Sequence, residues 1–345
     1  MLASMLMESA FGGTLNDVSP EILRKYTHDN GATLIAMESA EDLRDVFVDT
    51  VYTMETLDFQ LQVAAMEGAS ESVTEAITDK VKEKANLAVQ TVRTKLKSLW
   101  EKVKGFFKNV KTYILSIFQN AVKFVKANQS TLKKLDLTGF KYDAFEYTID
   151  TEGKKMAETI QKEANGIIEF VTQMAKLQES NKANSTKVDQ TSTQYDSYKE
   201  DRYNKFVERE FGGSKEESDV TKYVWAKLRG GAQNESDKKV FTGSIDSLVD
   251  AIIGSNGVIK AFDNMWTSQD RMFTNAMSKC KELERLDTSV YPLTVKAAGN
   301  LYSGISKLSS LYNKVIGNAK TAVSEMVGDY MKVIRKALRY KPAKD

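Results

Sequence analysis

The chain has 345 residues, 41% hydrophobic and 28% charged, which suffices for one large or two ordinary cores and is unlike a disordered composition. Its single cysteine, Cys280, excludes an internal disulfide or a thiolate metal cage, and its single histidine, His28, leaves little room for histidine catalysis or a multi-histidine metal site, so neither an enzyme nor a cofactor is expected. The net charge of +2 is unevenly divided: residues 1–67 carry twelve acids against Arg24, Lys25 and Arg44, and the remainder carries 46 basic and 35 acidic residues.

The start, MLASMLMESAFGG, has no basic n-region, and Glu8 interrupts its short apolar run, so it does not read as a secretory signal. No run of roughly eighteen apolar residues occurs anywhere, so no transmembrane helix is expected. A first leader helix is expected to open at Ser19-Pro20-Glu21, where serine caps, proline suits the first helical position and glutamate suits the first turn. A second is expected from Ser39-Ala40-Glu41-Asp42 through Leu43, Val46, Val51, Met54 and Leu57 towards Gly68.

Residues 70–128 read as one very long helix. Apolar positions fall in rows of eleven: Val81, Val92, Val103, Ile114, Val125; then Ala85, Leu96, Phe107, Phe118; then Ala88, Leu99, Val110, Ala121. Eleven residues close about three turns, so the rows lie side by side as one nearly straight stripe. Lysines fill the other faces, and Gly105 is the weak point. Residues 80–134 hold fourteen Lys/Arg against only Glu83 and Glu101, a charge that attracts an anionic partner. Lys95, Lys97, Lys102, Lys104, Lys108, Lys111, Lys123 and Lys126 are the candidate contacts to nucleic acid or another anion.

Residues 135–149 alternate instead, with Phe140/Tyr142 and Phe145/Tyr147/Ile149, which predicts a short hairpin or an extended connector. A helix follows from about Thr151 through Met156, Ile160, Ile167 and Val171 to about Leu177. Residues 178–197 are polar and of low complexity, a linker or exposed loop. Ser214 to Glu217 has capping-box spacing before a helix through Val224, Trp225 and Leu228, which Gly230-Gly231 ends. Helices are expected over 244–285, with a break at Gly254–Gly257, and over 293–338. The expected fold is mainly α: an elongated bundle of long helices with at most one small β-hairpin near 135–149. The expected divisions are an acidic leader 1–67, a long basic helix with connector and return helix 68–177, the linker 178–197, and a C-terminal helical domain 198–345.

Several constellations are set aside. Gly212-Gly213-Ser214-Lys215 lacks the earlier glycine and the Gly-Lys-Ser/Thr order of a phosphate loop. Glu216-Glu217-Ser218-Asp219 reads as a solvated helix start, and His28 as an exposed leader residue. Lysines beside Cys280 favour its thiolate, but no histidine neighbours it in sequence to make it a nucleophile. Trp100, Phe106, Phe107, Tyr113 and Phe118 are interleaved with lysines as in single-strand binders, but their helical spacing favours packing.

The leader carries a recurring motif. Leu6-Met7-Glu8-Ser9-Ala10, Ala36-Met37-Glu38-Ser39-Ala40 and Ala65-Met66-Glu67-Gly68-Ala69 each read aliphatic, Met, Glu and two small residues. Their flanks share no pattern, so the motif is short and local, the form a processing protease reads. These residues resemble the maturation sites of tailed-phage head proteins, whose prohead proteases cut after glutamate in Leu/Ile-x-Glu or Ala/Ser-x-Glu, before Ala, Gly or Ser. Leu6-Met7-Glu8 fits the T4-like form; the other two fit the form of giant phages related to phiKZ, whose internal head and inner-body proteins carry N-terminal propeptides. The resemblance covers residues 1–69 only. It implies cleavage after Glu8, Glu38 and Glu67, before Ser9, Ser39 and Gly68. It implies a virion-internal structural protein, present in the host cytoplasm before assembly. The implied partners are the prohead protease, other head or inner-body proteins, and DNA bound non-specifically, with ejection alongside the genome a further expectation. The competing expectation is a membrane-active or lipid-surface protein, for which the lysine-rich 81–126 helix with aromatics on one face is the support. An uncleaved scaffold or coiled-coil partner is a third.

Overall fold

A computed structural model describes residues 71–180, 202–212, 217–285 and 291–342. The two leader helices, the three Met-Glu sites, His28, the stretch 181–200 and Ser214 lie outside the described residues. Within them the chain is mainly helical, with one two-stranded antiparallel sheet. The helices of eight residues or more are α1 (Glu71–Ala127), α2 (Ile149–Ser180), α3 (202–210), α4 (Glu217–Leu228), α5 (Asp246–Ile253), α6 (Asn256–Leu283) and α7 (Tyr291–Arg339), with single helical turns at Gln129–Leu132 and Glu235–Asp237; the strands are β1 (Lys141–Ala144) and β2 (Lys239–Thr242).

The eleven-residue stripe is the inner face of α1. Val92, Val103, Ile114 and Val125, then Ala85, Leu96, Phe107 and Phe118, then Ala88, Leu99, Val110 and Ala121 are all buried. Gly105 does not break the helix. It is exposed, and a methyl group there would meet nothing within 4 Å. α5 and α6 are separated at Gly254-Ser255, inside the expected break. Pro292 sits in the first turn of α7, where its missing N–H costs no hydrogen bond. The helix 202–210 was not anticipated, because its mixed charge hides the short apolar face of Phe206 and Val207.

The chain forms two compact units, each assembled from three separate segments. Unit 1 takes residues up to Val103, Ile160–Phe206 and Gln269–Leu311. Leu96 and Leu99 of α1, Ile160 and Val171 of α2, Met272 and Phe273 of α6, and Leu301 and Ile305 of α7 are buried in it. Its polar ties are Arg93 to Glu284 at 2.8 Å, the Trp100 indole N–H to Asp270 at 2.9 Å, and Arg202 to Glu163. Gly304 lets α7 close on α2, since a methyl there would come within 2.9 Å of the Ile167 side chain.

Unit 2 takes Lys104–Thr159, Val207–Ser268 and Tyr312–Asp345. The alternation around Phe140 is a strand, and its partner comes from far along the chain rather than from within 135–149. β1 pairs with β2 in the register Lys141↔Thr242 to Ala144↔Lys239. Tyr142 stacks on its partner Phe241 at 5.3 Å, a cross-strand pair on one face. α4 ends in a Schellman motif: Gly231 N–H donates to the Ala226 carbonyl at 2.7 Å and Gly230 N–H to that of Lys227 at 3.3 Å, with φ +64° at Gly230. Thr148, at the start of α2, caps the same helix end. Its amide donates to the Leu228 carbonyl at 3.0 Å and its hydroxyl to the Lys227 carbonyl at 2.6 Å.

Candidate functional site

Turning the apolar stripe of α1 inward turns its lysines outward. In unit 1, Lys97 and Lys102 are exposed and Lys95 is half-buried. In unit 2, Lys104, Lys108, Lys123 and Lys126 are exposed, whereas Lys111 is half-buried and bound to Asp263 at 2.5 Å. Lys111 is therefore a structural cation, compensated within the fold. The six exposed lysines lie away from the buried rows: positions such as 97 and 108 fall roughly 130° from the centre of the stripe on a helix of about 3.67 residues per turn.

The five aromatic candidates divide by depth. Phe107 and Phe118 are buried, and Phe107 stacks on Trp266 at 5.1 Å. Trp100 and Phe106 are half-buried, and the Trp100 indole N–H is committed to Asp270. Tyr113 is 40% exposed, but Lys320 covers its ring at 4.7 Å. Packing accounts for four of these rings, and no row of open faces awaits bases. The same geometry bears on lipid binding. The apolar face that an interfacial helix inserts into a bilayer is, in α1, already covered by the protein's own core. Among the described residues no helix is long and apolar enough to cross a membrane.

Cys280 is fully buried, and burial pushes its thiol up to about 12, with the nearby Glu284 carboxylate adding to the effect and Arg93 opposing it. Burial keeps Cys280 a protonated thiol at neutral pH, against the thiolate that the neighbouring lysines suggested. Among the described residues no three His, Cys, Asp or Glu side chains gather closely enough to hold a metal ion. Gly212, the first residue of the GGSK string, is a packing glycine: a methyl there would come within 2.9 Å of Tyr223. Asp219 of the acidic run pairs with Lys222 at 3.4 Å.

One constellation was missed in the sequence. Arg229 follows α4 and lies between the Phe145 ring at 4.7 Å and the Trp225 ring at 4.5 Å. Its guanidinium donates to both carboxylate oxygens of Glu325. The Tyr147 hydroxyl donates to the same carboxylate at 3.4 Å, and burial together with Glu325 and Asp329 raises its pKa. Lys238 approaches Phe145 at 4.9 Å and pairs with Glu235 at 2.6 Å and Asp329 at 3.6 Å. Beside this node a cleft of about 220 Å³ is lined by Glu146, Arg229, Gly230, Gly231, Asp237 and Lys239. Its charges are spoken for: Lys239 pairs with Glu146 at 2.5 Å, and Asp237 accepts the backbone N–H groups of Gln233 and Asn234. The node is a clasp between α4, the β1–α2 connection and α7, and its chemistry is structural. No local pattern announces it, since its members come from positions 145 to 329.

Comparison with known proteins finds no matching family model, no matching curated protein and no matching solved structure.

Proposed function

We propose that this chain is an internal structural protein of a tailed-phage head, made with an acidic N-terminal propeptide and processed by a prohead protease. The basic helical body contacts DNA or other head proteins, and ejection with the genome belongs to the same reading. The observation that carries the reading is the triplicate Met-Glu-small motif, confined to the acidic residues 1–69. The last copy, Glu67-Gly68, precedes the first described helix at Glu71, so removing residues 1–67 takes away no described element. Removal also takes twelve acids and three bases, leaving a body rich in exposed lysine that suits non-specific, salt-sensitive contact with phosphates.

Mass spectrometry of purified virions tests the processing step. Peptides beginning at Gly68, without peptides spanning Glu67-Gly68, are expected. Spanning peptides in mature particles with none starting at Gly68 would overturn the reading.

A further inference from the structure

Two basic segments of unit 2, far apart in sequence, lie together. Residues 120–141 cover the end of α1 and the turn after it, with Lys123, Lys126, Lys133, Lys134 and Lys141 against Asp136. Residues 330–342 close α7 with Lys332, Arg335, Lys336, Arg339 and Lys341 and contain no acid. Three contacts hold the segments against each other. The Arg335 guanidinium covers the Phe124 ring at 5.3 Å. The Tyr340 hydroxyl donates to the Thr138 carbonyl at 2.7 Å. The Tyr340 ring meets Phe140 edge-on at 5.1 Å. All ten basic side chains are exposed.

We propose that this basic end of unit 2 is where the protein grips the phosphate backbone of double-stranded nucleic acid. The inference deepens the proposed function and rests on its DNA-contact part, not on removal of the leader. Cations also gather at helix C-termini to offset the macrodipole, but that effect reaches only the last turn. It accounts for Lys336 and Arg339, and leaves Lys332, Lys133, Lys134 and Lys141 unexplained. The nearby acids are few: Asp136, Asp143 on the same face of β1 as Lys141, and Asp329, which is shared between Lys332 at 3.5 Å and Lys238 at 3.6 Å.

The spacing suits a duplex. Lys332, Arg335, Lys336 and Arg339 occupy one outer face, while Met331, Val333, Ile334 and Ala337 are buried. That face spans about 10 Å at roughly 1.5 Å per residue, which matches about three base-pair steps. A bilayer fits less well. Interfacial binding needs apolar side chains to insert, and the exposed large hydrophobics among the described residues are Leu87, Tyr113 and Val240, none in either segment.

Fluorescence anisotropy of the full chain with a short labelled duplex of arbitrary sequence, between about 50 and 200 mM salt, tests the proposal. One variant combines Lys123→Gln, Lys126→Gln, Lys336→Gln and Arg339→Gln. A control removes the same charge from exposed lysines of unit 1 that are not among the candidate contacts, with Lys80→Gln, Lys82→Gln, Lys84→Gln and Lys162→Gln. The first is expected to weaken binding about tenfold or more and to flatten the salt slope by about three; the control is expected to cost no more than about threefold. Amine acetylation read by mass spectrometry on the unmutated chain gives a second measurement, with Lys133 and Lys336 protected by duplex and Lys82 not. Equal loss in both variants, no loss in the first, no duplex binding at about 50 mM salt, or tighter binding to anionic vesicles than to duplex would overturn it. An uncleaved leader in virions would defeat the processing reading and leave this result standing.

Discussion

Arg229 and Glu325, 96 positions apart, are joined by guanidinium–carboxylate hydrogen bonds of 2.5, 2.6 and 3.1 Å, with the guanidinium plane set against Phe145 and Trp225. Losing the arginine strands the carboxylate near Asp329 and empties a slot between two rings. Arg229→Met is expected to lower stability by about 2–3 kcal/mol, and Arg229→Lys to recover only part, because an ammonium neither forks nor stacks. Thermal melts check this; a wild-type melting temperature for Arg229→Met would show that the clasp contributes nothing.

Two glycines are expected to respond in opposite directions. Gly230 has φ +64°, and a methyl there would run into the Glu146 carbonyl oxygen, so Gly230→Ala should destabilise by about 2 kcal/mol or more. Gly105 is helical and exposed, with nothing within 4 Å, so Gly105→Ala should stabilise by about 0.5–1 kcal/mol. Denaturant midpoints of the two variants measure both signs at once.

The inner and outer faces of α1 should also separate cleanly. Leu99 is 1% exposed, and Leu99→Ala is expected to cost about 2–4 kcal/mol. The neighbouring Lys97 is exposed, and Lys97→Gln should change stability by less than about 0.5 kcal/mol. Equal effects in urea unfolding would contradict the assignment of the stripe to the core.

Alkaline pH should weaken the fold. Cys280 is raised from 9.0 to about 12 and Tyr330 from 10.0 to about 12, both chiefly by burial; Tyr147 is raised too. In each the folded state keeps the proton longer than the unfolded chain. The stabilisation is therefore whole below the unfolded values and is lost as pH climbs through about 9 to 12. Circular-dichroism melts at rising pH read the decline, and Cys280→Ala should remove its earliest part. In the native protein at about pH 8, a thiol reagent should react with Cys280 far more slowly than in denaturant.

The helical body was legible because one strong periodicity specified it. Rows of eleven named the inner face of α1 residue by residue, and the glycine pair at 230–231 named a helix end. These are local signals: a face or a cap is decided by residues within a few turns of one another. What could not be read depends on meetings between distant positions. Val240 and Phe241 carry no mark that pairs them with Asp143 and Tyr142. The grouping of chain segments into units, the Arg229 clasp, and the meeting of Phe124 and Thr138 with the end of α7 arise only once the helices have packed. The outward lysines of α1 could be named, but not Lys111, whose compensation by Asp263 bridges 152 positions.

The β1–β2 pair sets an order of events in folding. Four residue pairs close a loop of about a hundred residues, and closing so long a loop costs entropy that four pairs do not return alone. The contacts of Thr148 with the carbonyls of Lys227 and Leu228 bring α2 and α4 together beside the sheet and offset that cost. A probe at Tyr142 or Phe241 is therefore expected to report the closure of the long loop, and to lag behind far-ultraviolet circular dichroism in refolding.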